Sequence, residues 1–323
     1  MNYAPVIIPT LNRYAHFRKC LESLEKCVDA DKTAVYVGLD YPPSEKYKEG
    51  WGLIDKYLSE KEKKHTFGKL VVMRRKSNCG LFGDNSNFRL LYKQLVAEGY
   101  DTYIVSEDDN VFSPNFLVYI NKGLEKFRDD KSVLCICGYT HPYPLKFKDN
   151  TFFMHNVYCS AWGQGCWMSR VEEYAKWRDP RWFRQSFSLK NLMKMFKVGR
   201  RKVMIYLRLG RNYDYVPTTD YNLGVYAVVN NLNVVCPRMS LVRNMGCDGS
   251  GLSFHEVDED YTDAMSHQAI SEETGFEFKG TGYEYCKENR KILREGFVGN
   301  PSRKAILKEL VKYILWRIKC SRR

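Results

Sequence analysis

Apolar and polar positions alternate in blocks along the first 110 residues. Ala4–Pro9 is a short apolar run that stops at a turn, as a buried parallel strand does. From Asn12 to about Cys27, Phe17, Cys20, Leu21 and Leu24 recur at helical spacing. Thr33–Leu39 is rich in β-formers and ends at Asp40-Tyr-Pro-Pro43, and Gly52–Lys63 is helical again. Lys69–Arg74 reads as a third strand, Asn87–Glu98 as a third helix, and Asp101–Ser106 as a fourth strand with Tyr103-Ile-Val105 at its centre. This βαβαβαβ order predicts an α/β fold with a mostly parallel central sheet and helices on both faces. Such sheets bind ligands beyond the carboxyl ends of their strands, so the residues just after each strand are the candidates for chemistry.

The second half is more mixed. A helix over Phe116–Phe127 precedes a strand over Ser132–Gly138, in which Cys135 and Cys137 share a face. A Gly/Trp-rich segment follows at Cys159–Trp167, then a basic stretch and a helix starting near Thr219. Next come a short strand around Val234–Cys236 and a loop from Met239 to His255. Lys304–Cys320 reads as a long amphipathic helix with apolar residues at Ile306, Leu307, Leu310, Val311, Ile314 and Ile318. No repeat or Pro/Ser-rich linker divides the chain. It reads as one domain over residues 1–300, with halves meeting near residue 110, and a basic C-terminal helix over 301–323.

Composition narrows the class. With 323 residues, 44% hydrophobic and 14% aromatic, the chain is neither collagen-like nor disordered. No stretch approaches the roughly 18 apolar residues of a spanning helix, and the N-terminus lacks the basic-then-apolar pattern of a secretory signal. The eleven cysteines show no CxxC pair and no His/Cys metal spacing. They read as reduced thiols of a cytoplasmic protein, mostly small buried apolar groups. The net charge of +13 is concentrated in two places. Ten bases and no acid lie between Pro180 and Tyr213, and eight bases against the single acid Glu309 lie in 301–323. Such patches attract phosphates, whether of nucleic acid, anionic lipid or a phosphorylated acceptor. The confinement of the bases, and the lack of an RRM, KH or zinc motif, argue against nucleic acid.

The chemistry concentrates at Ser106-Glu107-Asp108-Asp109, where the fourth strand ends. Three consecutive carboxylates at a strand exit repel one another, and a hard divalent cation relieves that repulsion. The bland alternative is a solvated acidic turn ahead of the helix at Ser113-Pro114. A metal-dependent phosphoesterase is another reading, but it calls for a second ligand cluster that is not evident.

At this point the chain resembles the GT-A glycosyltransferases, in particular glycosyltransferase family 2 and the GlcNAc-transferase I family. The resemblance rests on four stretches in order: Pro5-Val-Ile-Ile-Pro-Thr-Leu-Asn-Arg13; Tyr36-Val-Gly-Leu-Asp40; Asn87-Phe-Arg-Leu-Leu91; and Tyr103-Ile-Val-Ser-Glu-Asp-Asp-Asn-Val-Phe-Ser-Pro-Asn-Phe116. The last looks like the family's DxD metal motif. The likeness covers roughly residues 4–255. It implies a GT-A fold and a nucleotide-sugar donor, most simply a UDP-sugar, with Mn²⁺ or Mg²⁺ as cofactor. It places Pro9, Thr10 and Arg13 by the nucleotide, Asp40 on the uracil or ribose, and Arg89 on the donor. Glu107 and Asp108 fall near the ribose and metal waters, and Asp109 on the metal. As plain alternatives, Arg13 and Arg89 read as surface helix charges and Asp40 as the start of the turn before Pro42.

Inverting transfer also needs a carboxylate to take the acceptor's proton. Pro217-Thr-Thr-Asp220 puts Asp220 in a helix's first turn, where it either acts as that base or complements the helix dipole; the family position favours the base. In Ser160-Ala-Trp-Gly-Gln-Gly-Cys-Trp167, Trp162 offers a flat face to a sugar ring or fills the core. The loop Asn244-Met-Gly-Cys-Asp-Gly-Ser-Gly-Leu-Ser-Phe-His255 could cover a diphosphate, with His255 a candidate metal ligand or an ordinary structural histidine. The expected partners are the donor, a glycan or lipid-linked acceptor in surface polysaccharide synthesis, and an anionic membrane surface, with the enzyme cytoplasmic and peripheral at the inner face. The C-terminal helix either docks on the domain or lies on that surface.

Overall fold

The computed structural model describes residues 3–178, 186–211, 219–251, 259–282, 287–295 and 301–321. The predicted parallel half is present: β1 (Val6–Thr10), β2 (Ala34–Leu39), β3 (Lys69–Arg74) and β4 (Thr102–Val105) lie in the order β3-β2-β1-β4, all parallel. Between them run α1 (Tyr14–Glu25), α2 (Lys48–Lys61) and α3 (Asn87–Ala97). Side chains alternate across the pleat as a sheet buried on both faces requires. Val6 and Ile8 pack with α1, α2 and α4 (Phe116–Lys126), while Ile7 packs with α3 on the other face.

The second half departs from the sequence reading. The sheet continues β4-β8-β6-β9-β7, from β6 (Val133–Cys137), β7 (Phe152–His155), β8 (Gln164–Trp167) and β9 (Asn233–Pro237). Here β8 is antiparallel to both neighbours, β6 and β9 are parallel, and β7 is antiparallel to β9. β7 and β8 are four residues each, too short to show a period. β5 (Asn110–Phe112) pairs antiparallel with β10 (Val242–Asn244), setting Asn110 opposite Asn244. This ribbon, missed because each strand is three residues long, brings the late loop onto the acidic turn.

α5 (Met168–Trp177) follows β8, and the basic stretch folds into α6 (Leu189–Val198) and α7 (Arg200–Arg211). α8 (Thr219–Asn230) packs Leu223, Tyr226 and Ala227 on the sheet face shared by α3 and α5. α9 (Glu259–Ser266) and α10 (Lys287–Glu295) precede the last helix, α11 (Arg303–Ser321).

α11 forms as a helix, but its apolar residues do not make the single stripe expected. Ile306 is buried in a third core with α6 and α7, and Leu310 and Tyr313 pack against that core. Glu309, the only acid of the basic tail, is buried there and pairs with Arg211 and, at 3.6 Å, with Arg208. Leu307, Val311, Ile314, Leu315 and Ile318 remain exposed on another side. Among the described residues no helix is long and apolar enough to cross a membrane, and the nine cysteines whose side chains are described are unbridged.

Candidate active site

The site assembles at the carboxyl edge of β1 and β4. Thr10 closes β1, and its hydroxyl donates to Asp108 Oδ2 at 2.8 Å. Three residues on, the Arg13 guanidinium spans two carboxylates, bonding Asp108 Oδ1 and Asp109 Oδ2, the latter at 2.7 Å. The other oxygen of Asp109 accepts from Asn244 Nδ2 at 2.6 Å, across the β5–β10 ribbon. Asp108 and Asp109 are therefore buried with all four oxygens engaged. Burial raises the Asp108 carboxyl above its usual range, and the Arg13 charge opposes that rise.

The late loop seals this arrangement. Met245 N–H donates to the Asp109 carbonyl at 2.8 Å, and Gly246 N–H to Asn244 Oδ1 at 2.9 Å. A Cβ at Gly246 would sit 2.1 Å from Asp109 Oδ2, so only glycine lets the backbone come this close. His16 on α1 reaches the same loop, 3.0 Å from Asp248 Oδ2. His255 lies outside the described residues.

Glu107 behaves differently from the two aspartates beside it. Its side chain is exposed, and Oε2 accepts from the Trp162 indole at 3.0 Å. Desolvation by the surrounding protein, then the charges of Asp109 and Asp220, push its carboxyl up to about 8. Asp220 comes from the first turn of α8 and accepts from the Ala161 amide at 3.3 Å. Burial pushes it up to about 7, against the hydrogen bond from Ala161 and the nearby Lys202 charge. One segment, 160–163, thus contacts both open carboxylates. It turns at Gly163, whose φ of +65° and crowding by Phe116 and Val242 exclude any side chain. Trp162 stands edge-on to Tyr139, with centroids 4.6 Å apart, and is half-buried.

The remaining candidates are placed as follows. Pro9 lies within β1 next to Thr10. Asp40, at the end of β2, is buried and accepts from the amides of Tyr41 (2.9 Å), Cys79 (2.8 Å) and Gly80 (3.2 Å). It organises the 78–80 loop at the strand edge. Arg89 is not brought to the carboxylates: it lies over Tyr92 and lines a shallow surface cavity between α3 and α5, with Val171 and Glu172. Arg75, which the sequence reading did not single out, lies at the strand edge instead. It follows β3 directly, bonds Asn87 Oδ1 at 2.9 Å and lies near Asp40. The rule of inspecting residues just after each strand would have found it. Lys202 on α7 was read only as part of a charge run, but it is buried, close to Asp220, and burial lowers its ammonium to about 8.

The donor set suits Mn²⁺ or Mg²⁺: carboxylate oxygens, more negative charge than Arg13 offsets, and one carboxylate facing open space. That open group is Glu107. Asp109 has both oxygens committed to Arg13 and Asn244.

No protein-family model and no curated protein matches the chain. Among solved structures it is similar to Staphylococcus aureus TarS 1–349 in complex with UDP-GlcNAc, at 14% identity and TM-score 0.45, over 83% of this chain and 68% of that one. It is also similar to a longer S. aureus TarS chain, at 13% identity and TM-score 0.39, over 74% of this chain and 36% of that one. A third is the mannosyltransferase PcManGT from Pyrobaculum calidifontis in complex with GDP-Man and Mn²⁺, at 14% identity and TM-score 0.32, over 43% and 36%. The match spans about a third of the length of the mannosyltransferase and of the longer TarS chain.

Proposed function

We propose that the protein is a GT-A glycosyltransferase that moves a sugar from a UDP-sugar to a glycan or lipid-linked acceptor, with inversion at the anomeric carbon. The observation that carries this reading is the pair of open carboxylates, Glu107 and Asp220, held high in pKa at the carboxyl edge of a parallel sheet beside Arg13. Asp220, titrating near 7, takes the proton from the acceptor hydroxyl as the anomeric bond breaks. Arg13 and Arg75 face the diphosphate, and Asp40 shapes the nucleotide side through the 78–80 loop. Trp162 offers its face to a sugar ring and orients Glu107. Glu107 would hold Mn²⁺ or Mg²⁺, which takes up charge on the departing diphosphate. The test is a panel of nucleotide sugars assayed for diphosphate release, with UDP binding followed by thermal shift. Selective stabilisation by UDP and turnover of a UDP-sugar support the reading; neither occurring with any nucleotide overturns it.

The exposed apolar side of α11 is flanked by Lys304, Lys308, Lys312 and Lys319, and α6 exposes Leu189, Met193 and Phe196 next to Lys190 and Lys197. We propose that this surface rests on an anionic membrane, where each base contributes roughly 1 kcal/mol. Replacing Leu307, Ile314 and Ile318 by Ser should release the protein from anionic liposomes at low salt, without loss of UDP binding. Equal cosedimentation of variant and wild type would rule the surface out.

A further inference from the structure

The sheet carries a second cluster that the proposed transfer does not use. Cys135 and Cys137 are two apart on β6, so the pleat turns both toward the face shared by α3, α5 and α8. Cys159 reaches the same point from the segment before β8. The three sulfurs lie within 4.8 Å of one another, and those of Cys135 and Cys159 are 3.7 Å apart. A tetrahedral zinc with Zn–S bonds of about 2.3 Å holds its sulfurs about 3.8 Å apart. A fourth thiol, that of Cys236 on β9, stands beside Cys137 but outside this group of three. Ile136 pairs with Val235 in the parallel β6–β9 ladder, so the next residues along are Cys137 and Cys236, whose thiols adjoin. None of the four cysteines is more than 7% exposed.

The cluster lies in an apolar core but has polar neighbours. Gln164 Nε2 lies 2.9 Å from both Cys135 Sγ and Cys159 Sγ. The Val157 amide donates to His155 Nδ1 at 3.1 Å, which leaves the ring proton on Nε2, 3.4 Å from Cys236 Sγ. Two buried side chains thus aim N–H groups at three of the four sulfurs, as outer partners do around a metal–thiolate centre. Lys202, also buried, lies close enough to Cys159 to offset negative charge there.

We propose that Cys135, Cys137 and Cys159 hold a structural zinc, with Cys236 drawn in from beside Cys137 as its fourth ligand. With Cys236 in place no position stays open, so the metal has no part in chemistry. It pins the start of segment 159–164, which carries the Ala161 amide on Asp220 and the Trp162 indole on Glu107. The site is independent of the reaction assigned to those carboxylates.

The experiment measures metal content of the full chain, expressed in zinc-supplemented medium and purified without chelator. Mass spectrometry should find about one zinc per chain, released to a chelating dye when a mercurial caps the thiols. Protein refolded with cobalt should show the visible bands of a tetrahedral thiolate site. Cys159→Ser should lose most of the zinc, and Cys79→Ser, outside the cluster, should keep it. Wild-type metal content decides the matter even if a serine variant misfolds. Less than about a tenth of an equivalent of zinc in the wild type, together with no cobalt spectrum, overturns the proposal. So does a folded Cys159→Ser that retains its full zinc, or a wild type isolated with a Cys135–Cys159 disulfide in place of metal.

Discussion

Glu107 and Asp220 lie close enough to interact, and Asp108 and Asp109 follow Glu107 directly in the chain, yet the protein treats the two pairs in opposite ways. The aspartates are buried, and Thr10, Arg13 and Asn244 occupy every oxygen. Glu107 is exposed and Asp220 half-buried; each receives a hydrogen bond from the 160–163 segment, and desolvation by the surrounding protein pushes their carboxyls up to about 8 and about 7. A carboxylate whose oxygens are all paired is scaffold; one held above its usual range with an oxygen to spare is where a proton or a cation can be exchanged.

The largest effect that tests this contrast is on the scaffold side. Arg13→Ala leaves two buried carboxylates without their cation and should cost about 3 kcal/mol, read as a fall in Tm of about 5 °C or more. An unchanged Tm would show that the aspartates are not held as described. Asp220→Asn should do the reverse. It should keep the fold and donor affinity but lower kcat about 10²-fold or more, with the wild-type product inverted by NMR. Wild-type kcat in the variant, or a retained anomer, removes Asp220 from the role of base.

Glu107→Gln should abolish the difference in UDP affinity measured with and without Mn²⁺, while Tm at neutral pH holds, because the amide stands in for the protonated carboxyl. Asp109→Asn, by contrast, should lower Tm. The same metal dependence surviving in Glu107→Gln would return the ion to Asp109.

The smallest effect is on pH dependence. Glu107 and Asp220 have folded pKa values of about 8 and 7, above the roughly 4 of an unfolded carboxyl. Between those limits the folded state holds more protons than the unfolded one, so stability falls as pH rises through 5 to 8. Tm should be higher at low pH within this window, and the slope should flatten in the Glu107→Gln/Asp220→Asn double variant. Activity should run the other way, rising as Asp220 loses its proton.

Much of the first half was legible before any coordinates. Strands β1 to β4 are apolar runs ending at turns, and burial on both faces makes such runs continuous; the three helices between them carry apolar stripes at helical spacing. The acidic turn, Arg13 and Asp220 could be singled out because each lies just past a strand or at a helix start. The place of Arg89 over Tyr92 was not readable, because a basic residue on a helix does not reveal which way it faces, and Arg75 was passed over although it stands directly after β3. The short strands of the second half, two of three residues and two of four, are below the length at which a period can be read.

By itself, then, the sequence determined a parallel α/β half with carboxylates at a strand exit, because local apolar period and turn chemistry are encoded by neighbours in the chain. Only the tertiary structure decided which carboxylates are locked and which are open. Their partners, Arg13, Asn244, Ala161 and Trp162, come from segments far apart in the chain and meet only when the sheet and the β5–β10 ribbon close. The same holds for the cysteines. No spacing along the chain marks Cys135, Cys137 and Cys159 as a set, because two separate stretches of the fold must come together before their sulfurs do.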